Sequence, residues 1–359
     1  VNVTEHPFGI TRKGEEVTLY RLEGGGLVLS CLNYGGAVVE LLAPDRHGVM
    51  RNVVLGYDDL AKYEENPNWF GVLCGPTAGR ISGASFSLDG KSFSLTANDG
   101  TACLHGGSCD FSRRLWQSES FREAHKVGLR LHTESPDGEG GYPGRVRLCV
   151  TYTLDGEGAF AIAYEGETDS PTLLDPTFHG YFNLSGNCVT SGLDQELRID
   201  AATFLPLDAH HLPGPPLPVE GTPFDFRRSV SIRKNLECFH PQVLRGRGYD
   251  HAFVLCASDE EFPSAPQVRL YDPSSGRVLE MTTSEPCVVF YSGGWIAEGE
   301  RLRGGAMSAP HAGVALEAQW YPNAVNSPFL PLRVLRPGTV FRSRTVYRFG
   351  VVRNFSPEA

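Results

Sequence analysis

Three absences narrow the functions open to this sequence. No apolar run reaches the ~20 residues that a membrane-spanning helix requires, and the opening VNVTEHPFG has neither a basic leader nor an apolar signal core. The expectation is a soluble, cytoplasmic protein with no membrane partner. The formal net charge is -10 and no block of Lys or Arg interrupts it, so the clustered positive charge that neutralises phosphates is missing. Nucleic acid is therefore not an expected partner. The nine cysteines are scattered without a Cys-x-x-Cys pair, which excludes a zinc knuckle and a complete disulfide framework. The triple glycine Gly24 to Gly26 lacks the Lys-Ser/Thr of a phosphate loop and reads as a turn. No metal and no cofactor is expected.

What is present points to strands. The 41 glycines and 25 prolines among 359 residues, with frequent Val, Thr, Tyr and Phe, favour short strands joined by turns. Apolar residues alternate over Val17 to Leu22, Leu27 to Leu32 and Val38 to Leu42, and Phe86, Leu88, Phe93 and Leu95 alternate around an Asp89-Gly90 hairpin turn. Longer strands are expected over 127–134, 145–154 and 159–167, and further ones over 267–271, 277–283 and 287–291. Leu335 to Phe349 should supply closing strands around the Pro337-Gly338 turn. Cys31, Cys149 and Cys256 read as small core residues. No linker composition and no fixed repeat divides the chain, so residues 1–359 are expected to form one antiparallel domain. A chain of this length can bury a large core.

The most demanding stretch is PTLLDPTFHGYFNLS, where Phe178, Tyr181 and Phe182 crowd His179 and Gly180 removes the next side chain. A packed imidazole is suited to moving a proton near neutral pH, and equally to ending a strand with its nitrogens satisfied. In VALEAQ, Val314, Leu316 and Ala318 point one way and Glu317 and Gln319 the other, which sends the carboxylate to a polar face opposite the core. Arg80 sits among glycines, free to reach a ligand oxygen or to form a surface ion pair. His105 precedes two glycines at a pocket rim or a plain turn. Asp250 opens an apolar strand, where its carboxylate suits sugar hydroxyls or a turn cap. The passage from Phe204 to Arg227 reads as an ordered covering loop, with His210 and His211 as exposed residues on it.

The runs DGEGGYPG, FHGYFNLSG, GTPFDFR, GYDHAFVL, DPSSGR, EPCVVFYSGG and LEAQWYPNAVN, in this order, resemble the aldose 1-epimerase (galactose mutarotase) family over nearly the whole chain. The resemblance implies a large antiparallel β-sandwich with an open cleft that needs neither metal nor nucleotide. It implies a free monosaccharide such as galactose or glucose as partner, and a monomer or weak homodimer. It puts the family's acid on His179, its base on Glu317 and its sugar contacts on Arg80, His105 and Asp250. The chain departs from the pattern at Gly79, where the family usually has asparagine, at Val289, usually glutamine, and at Gly294, usually asparagine. The implied activity is anomer interconversion, beginning from an ionised Glu317 and a charged His179. A hexose-phosphate epimerase would need a cationic cluster around Arg80, a glycoside hydrolase would need a second carboxylate, and a non-catalytic sugar-binding protein would not need His179 with Glu317.

Overall fold

The computed structural model describes residues 1–256, 260 and 262–352. The chain begins as a five-stranded meander, Asn2–Ile10, Glu16–Gly24, Leu27–Leu32, Val38–Pro44 and Met50–Asn52, each strand antiparallel to the one before it. The triple glycine is the second turn of this meander. Gly25 has φ +55° and packs so tightly on Gly158 that no Cβ would fit, so the run serves a turn and a close backbone approach.

A nine-stranded antiparallel sheet follows, in the order Gln117–Arg122, Lys126–Ser135, Val146–Asp155, Ala159–Thr168, Phe341–Val351, Arg277–Thr283, Val268–Tyr271, Glu196–Ile199 and Val230–Ser231. Its long central strands alternate buried and exposed residues, as the period-2 pattern of the sequence requires. The carboxyl-terminal strand lies between Ala159–Thr168 and Arg277–Thr283, which joins the middle of the chain to its end. The closing segment differs from expectation. Pro337 and Gly338 precede one long strand, and Leu335 makes only an isolated bridge to Thr172.

Six strands form the sheet that carries the cleft: Tyr181–Phe182, Val314–Gln319, Cys287–Tyr291, Asp250–Leu255, Ala201–Phe204 and Leu217–Pro218, in that order. One face of it sends Val314, Leu316, Val288, Phe290 and Phe253 into the same core as Leu129, Val150, Phe160, Ile162 and Tyr347 of the large sheet. Tyr152, Phe160, Phe178 and Tyr347 meet there edge to face or stacked at centroid separations of 5.5 to 6.4 Å. Emptying such a position, for example Phe160→Ala, costs about 3–5 kcal/mol. This is a sandwich of two sheets. The other face of the six-stranded sheet turns Asp250, Val289 and Glu317 toward the cleft.

Arg277 ties these parts together. The residue is 1 % exposed, and its guanidinium donates to the carbonyls of Ala43 (3.1 Å), Leu184 (3.0 Å), Ser185 (3.1 Å) and Val49 (2.9 Å). The meander, the large sheet and the loop after Phe182 are thereby joined at one side chain. Of the three cysteines expected in the core, Cys31 is buried, but Cys149 is half-buried and Cys256 exposed. Cys149 falls on the outward phase of its strand, between buried Leu148 and Val150.

Candidate active site

His179 ends the short strand Thr177–His179, which pairs with Val72–Cys74 so that His179 opposes Val72. The strand is held from both sides. Thr177 donates its hydroxyl to the Ala318 carbonyl at 2.8 Å, and Gly71 donates its N–H to the His179 carbonyl at 3.0 Å. Gly180 is required next, because a Cβ there would overlap the Phe178 ring. The imidazole lies between two aromatic rings, nearly parallel to Tyr181 (4.9 Å, 23°) and to Trp69 (6.5 Å, 19°). Trp69 also sits 5.0 Å from the His105 ring and holds φ +54°, a left-handed conformation that few side chains adopt without support.

Glu317 comes from the strand Val314–Gln319, whose alternate residues Val314, Leu316 and Ala318 enter the core. The expected polar face is therefore present, but it is buried under the cleft walls: Glu317 is 3 % exposed. Its Oε1 stands 3.6 Å from Nε2 of His179. Register fixes the rest of the floor. Val289 opposes Glu317 on one side and Ala252 on the other, and Tyr291 opposes Asp250 one row away on the same face.

Arg80 reaches in from the edge opposite. Its Nε donates to Asp99 at 2.6 Å, and its Nη1 lies 4.0 Å from the Asp250 carboxylate. Arg80 thus forms the ion pair, and that pair faces the cleft. His105 has φ +50° and accepts the Gly79 N–H on Nδ1 at 3.2 Å. The ring proton of neutral His105 therefore sits on Nε2.

These side chains line one cavity of about 540 Å³ that holds His179, Glu317, Arg80, His105, Asp250, Gly79 and Val289. Gly294 does not line it; its backbone lies against the Arg247 carbonyl, and a Cβ would strike that atom. Gly79 has φ +69°, and the space beside it is occupied by Pro322 and by the Gln319 amide, whose Nε2 is 3.6 Å from the place a Cβ would take. His211 was expected to be exposed beside His210, but it is half-buried on the covering loop and lines the cleft. The loop turns back at Leu207 to Pro213, with His211 at φ +59°, and that turn carries the ring inward. Trp69, Tyr291, Gln319 and Trp295 are among further lining residues to which the sequence reading gave no role at the site. For Gln319 the signal was available, since it shares the phase of Glu317.

A wider depression of about 1220 Å³ lies on the outer face of the large sheet. Its charges pair with one another, Arg147 with Glu134 at 3.0 Å and Arg342 with Glu165 at 3.2 Å, as on an ordinary solvated face. No comparable acid and base converge there among the described residues.

Burial dominates the electrostatics of the cleft. It pushes the His179 pKa down to about 3. It pushes Glu317 well above the usual carboxylate range, Asp250 adding to the rise and Arg80 opposing it. Asp250 is raised by its own burial against the pull of Arg80, and His105 is lowered by burial, His179 and Arg80. Burial alone therefore favours an uncharged pair, the reverse of the charged histidine and ionised glutamate expected from the sequence. The number of protons is the same in both descriptions: one, shared between two groups.

His105, His179 and Glu317 could bring three ligand atoms within 4.8 Å of one another. The His105 tautomer argues against a metal there. Ligation through Nε2 would move the proton to Nδ1, which already accepts the Gly79 N–H.

One cleft of this sandwich thus brings a His/Glu pair together with an Arg, an Asp and a second His. The family model for aldose 1-epimerase matches residues 18–348. Galactose mutarotase of Sus scrofa is 37% identical over 98% of this chain and 99% of its own length, and that of Homo sapiens is 36% identical with the same coverage. The aldose 1-epimerase of Escherichia coli is 31% identical over 92% of this chain and 95% of its own. Among solved structures, galactose 1-epimerase of Lactobacillus acidophilus superposes with a TM-score of 0.85 at 25% identity, covering 98% of this chain and 99% of its own. The chain belongs to the aldose 1-epimerase family, and its activity is that of an isomerase interconverting the anomers of an aldose.

Proposed function

We propose that Glu317 and His179 carry this interconversion as base and acid, on a free monosaccharide such as galactose or glucose. The observation that supports it most is the 3.6 Å approach of His179 Nε2 to Glu317 Oε1 at the floor of the cleft. Glu317 removes the proton from the C1 hydroxyl, the O–H electron pair becomes the second bond of the aldehyde, and the C1–O5 bond breaks. His179 gives its proton to O5. Rotation about C1–C2 presents the other carbonyl face, and the reverse transfers close the ring as the opposite anomer. Both groups end as they began, so no nucleophile, metal or nucleotide takes part in the proposed cycle.

A bound sugar reconciles this with the uncharged pair that burial favours. Its C1 hydroxyl donates to the carboxylate and its ring oxygen accepts from the imidazolium, so each hydrogen bond favours the charged form that burial alone disfavours. Arg80 lowers the carboxylate further. Arg80, Asp250 and the Nε2–H of His105 supply donors and an acceptor for the remaining hydroxyls. Each proton transfer is worth about 10²–10⁴-fold, enough for a reaction that already proceeds slowly in water.

A hexose-phosphate substrate is not favoured, because Arg80 is the cation of the cleft and is already paired with Asp99 at 2.6 Å. We also propose a cytoplasmic location, supported by nine cysteines that are all free thiols. Magnetisation-exchange NMR between the α and β anomers of several free aldoses tests the activity directly. Exchange no faster than in buffer for every sugar would refute it.

A further inference from the structure

The row of residues across the cleft floor is mostly apolar beyond Glu317. Val289 opposes Glu317, Ala252 opposes Val289, and the Leu205 N–H donates to the Ala252 carbonyl at 2.8 Å, which extends the row. Leu207 and Leu212 of the covering loop line the same cavity. None of these five side chains offers a hydrogen bond. The groups that do so flank this row: Arg80 and Asp99 at one edge, Asp250 with Tyr291 one row over, His105 against Gly79, Gln319 next in phase to Glu317, and His211 on the covering loop.

A pyranose with its anomeric carbon between His179 and Glu317 and its hydroxyls toward Arg80 and Asp250 lies diagonally across two strands, over Val289. The hydroxyls on C2, C3 and C4 are the ones that need the polar wall. With those hydroxyls assigned to the polar wall, the group left for the apolar strip would be the exocyclic one on C5. Resting on the mechanism proposed above, we propose that Val289 determines specificity and that the cleft prefers aldoses bearing a hydrogen or a methyl at C5 over those bearing a hydroxymethyl. The preferred class is then pentoses and 6-deoxyhexoses. A hydroxymethyl oxygen against the strip gains no hydrogen bond from these five side chains, whereas a hydrogen or a methyl needs none.

Three sugars isolate this contact, because L-arabinose, D-fucose and D-galactose share the configuration of the ring hydroxyls and differ only at C5. We expect kcat/KM for L-arabinose and D-fucose to exceed that for D-galactose by about tenfold. Val289→Gln, which restores an amide, should narrow or reverse the ratio, while Val289→Ile should keep it. The preference is overturned if D-galactose matches or exceeds the other two in the wild type, or if Val289→Gln changes all three sugars alike. If no sugar is turned over by the folded protein, the acid/base reading itself fails and the preference falls with it.

Discussion

The backbone N–H of Gly79 donates to Nδ1 of His105 at 3.2 Å, and this one contact decides what the second histidine of the cleft can do. It fixes the neutral tautomer, so the ring turns a donor into the cavity and has no lone pair there for a metal. Activity should accordingly survive exhaustive EDTA treatment. Loss of activity on chelation, restored by one particular cation, would show that the tautomer had been misassigned.

The same contact predicts the behaviour of His105→Asn. The amide oxygen can still accept the Gly79 N–H, but the side chain is too short to place a donor where Nε2 stands. KM should rise about tenfold, as for one lost hydrogen bond of about 1–1.5 kcal/mol, with a smaller change in kcat. Steady-state rates from anomer exchange measure both. A large fall in kcat with KM unchanged would instead put His105 in the proton transfer.

The buried carboxyl of Glu317 makes stability depend on pH. Its folded pKa is raised, with burial as the main cause and Asp250 assisting. Below the unfolded value of about 4.3 both states carry the proton and nothing is lost. As pH rises above that value the unfolded chain ionises while the folded one keeps its proton, and stability falls by up to about 1.4 kcal/mol per pH unit until the folded pKa is passed. Glu317→Gln should therefore be more stable than wild type at pH 7, with the advantage disappearing near pH 4. Urea unfolding at the two pH values gives the comparison, and an equal difference at both would contradict the raised pKa.

The strands were legible because alternation survives in sequence. The spans 277–283 and 287–291 match their observed limits, 127–134 falls one residue short at each end, and 159–167 falls one residue short at its carboxyl end alone. Glu317 was legible for the same reason, being out of phase with Val314, Leu316 and Ala318. The sign of the proton distribution was not, since it depends on walls brought in from distant segments. Trp69, which flanks both histidines, lies 110 residues before His179 in the chain and is brought beside it by the pairing of Val72 with His179. His211 was misjudged because a backbone reversal at positive φ, not its sequence neighbours, turns it inward.

Arg277 predicts a stability effect remote from the chemistry. Four carbonyls depend on its guanidinium. Arg277→Met should lose about 3–5 kcal/mol, and Arg277→Lys should also lose stability because a single ammonium does not replace the planar fork. Chemical denaturation tests both, and a loss below about 1 kcal/mol for Arg277→Met would mean that the carbonyls find other partners.

The central claim is that one proton shared by His179 and Glu317 drives ring opening. It is tested most directly by the turnover of His179→Asn and Glu317→Gln, read as anomer-exchange rate on the best substrate, with circular dichroism to confirm the fold. Each change keeps polarity and approximate size and removes the titrating group. Both variants should stay folded and lose at least about 10²-fold in kcat. Near-wild-type turnover by either would contradict the account.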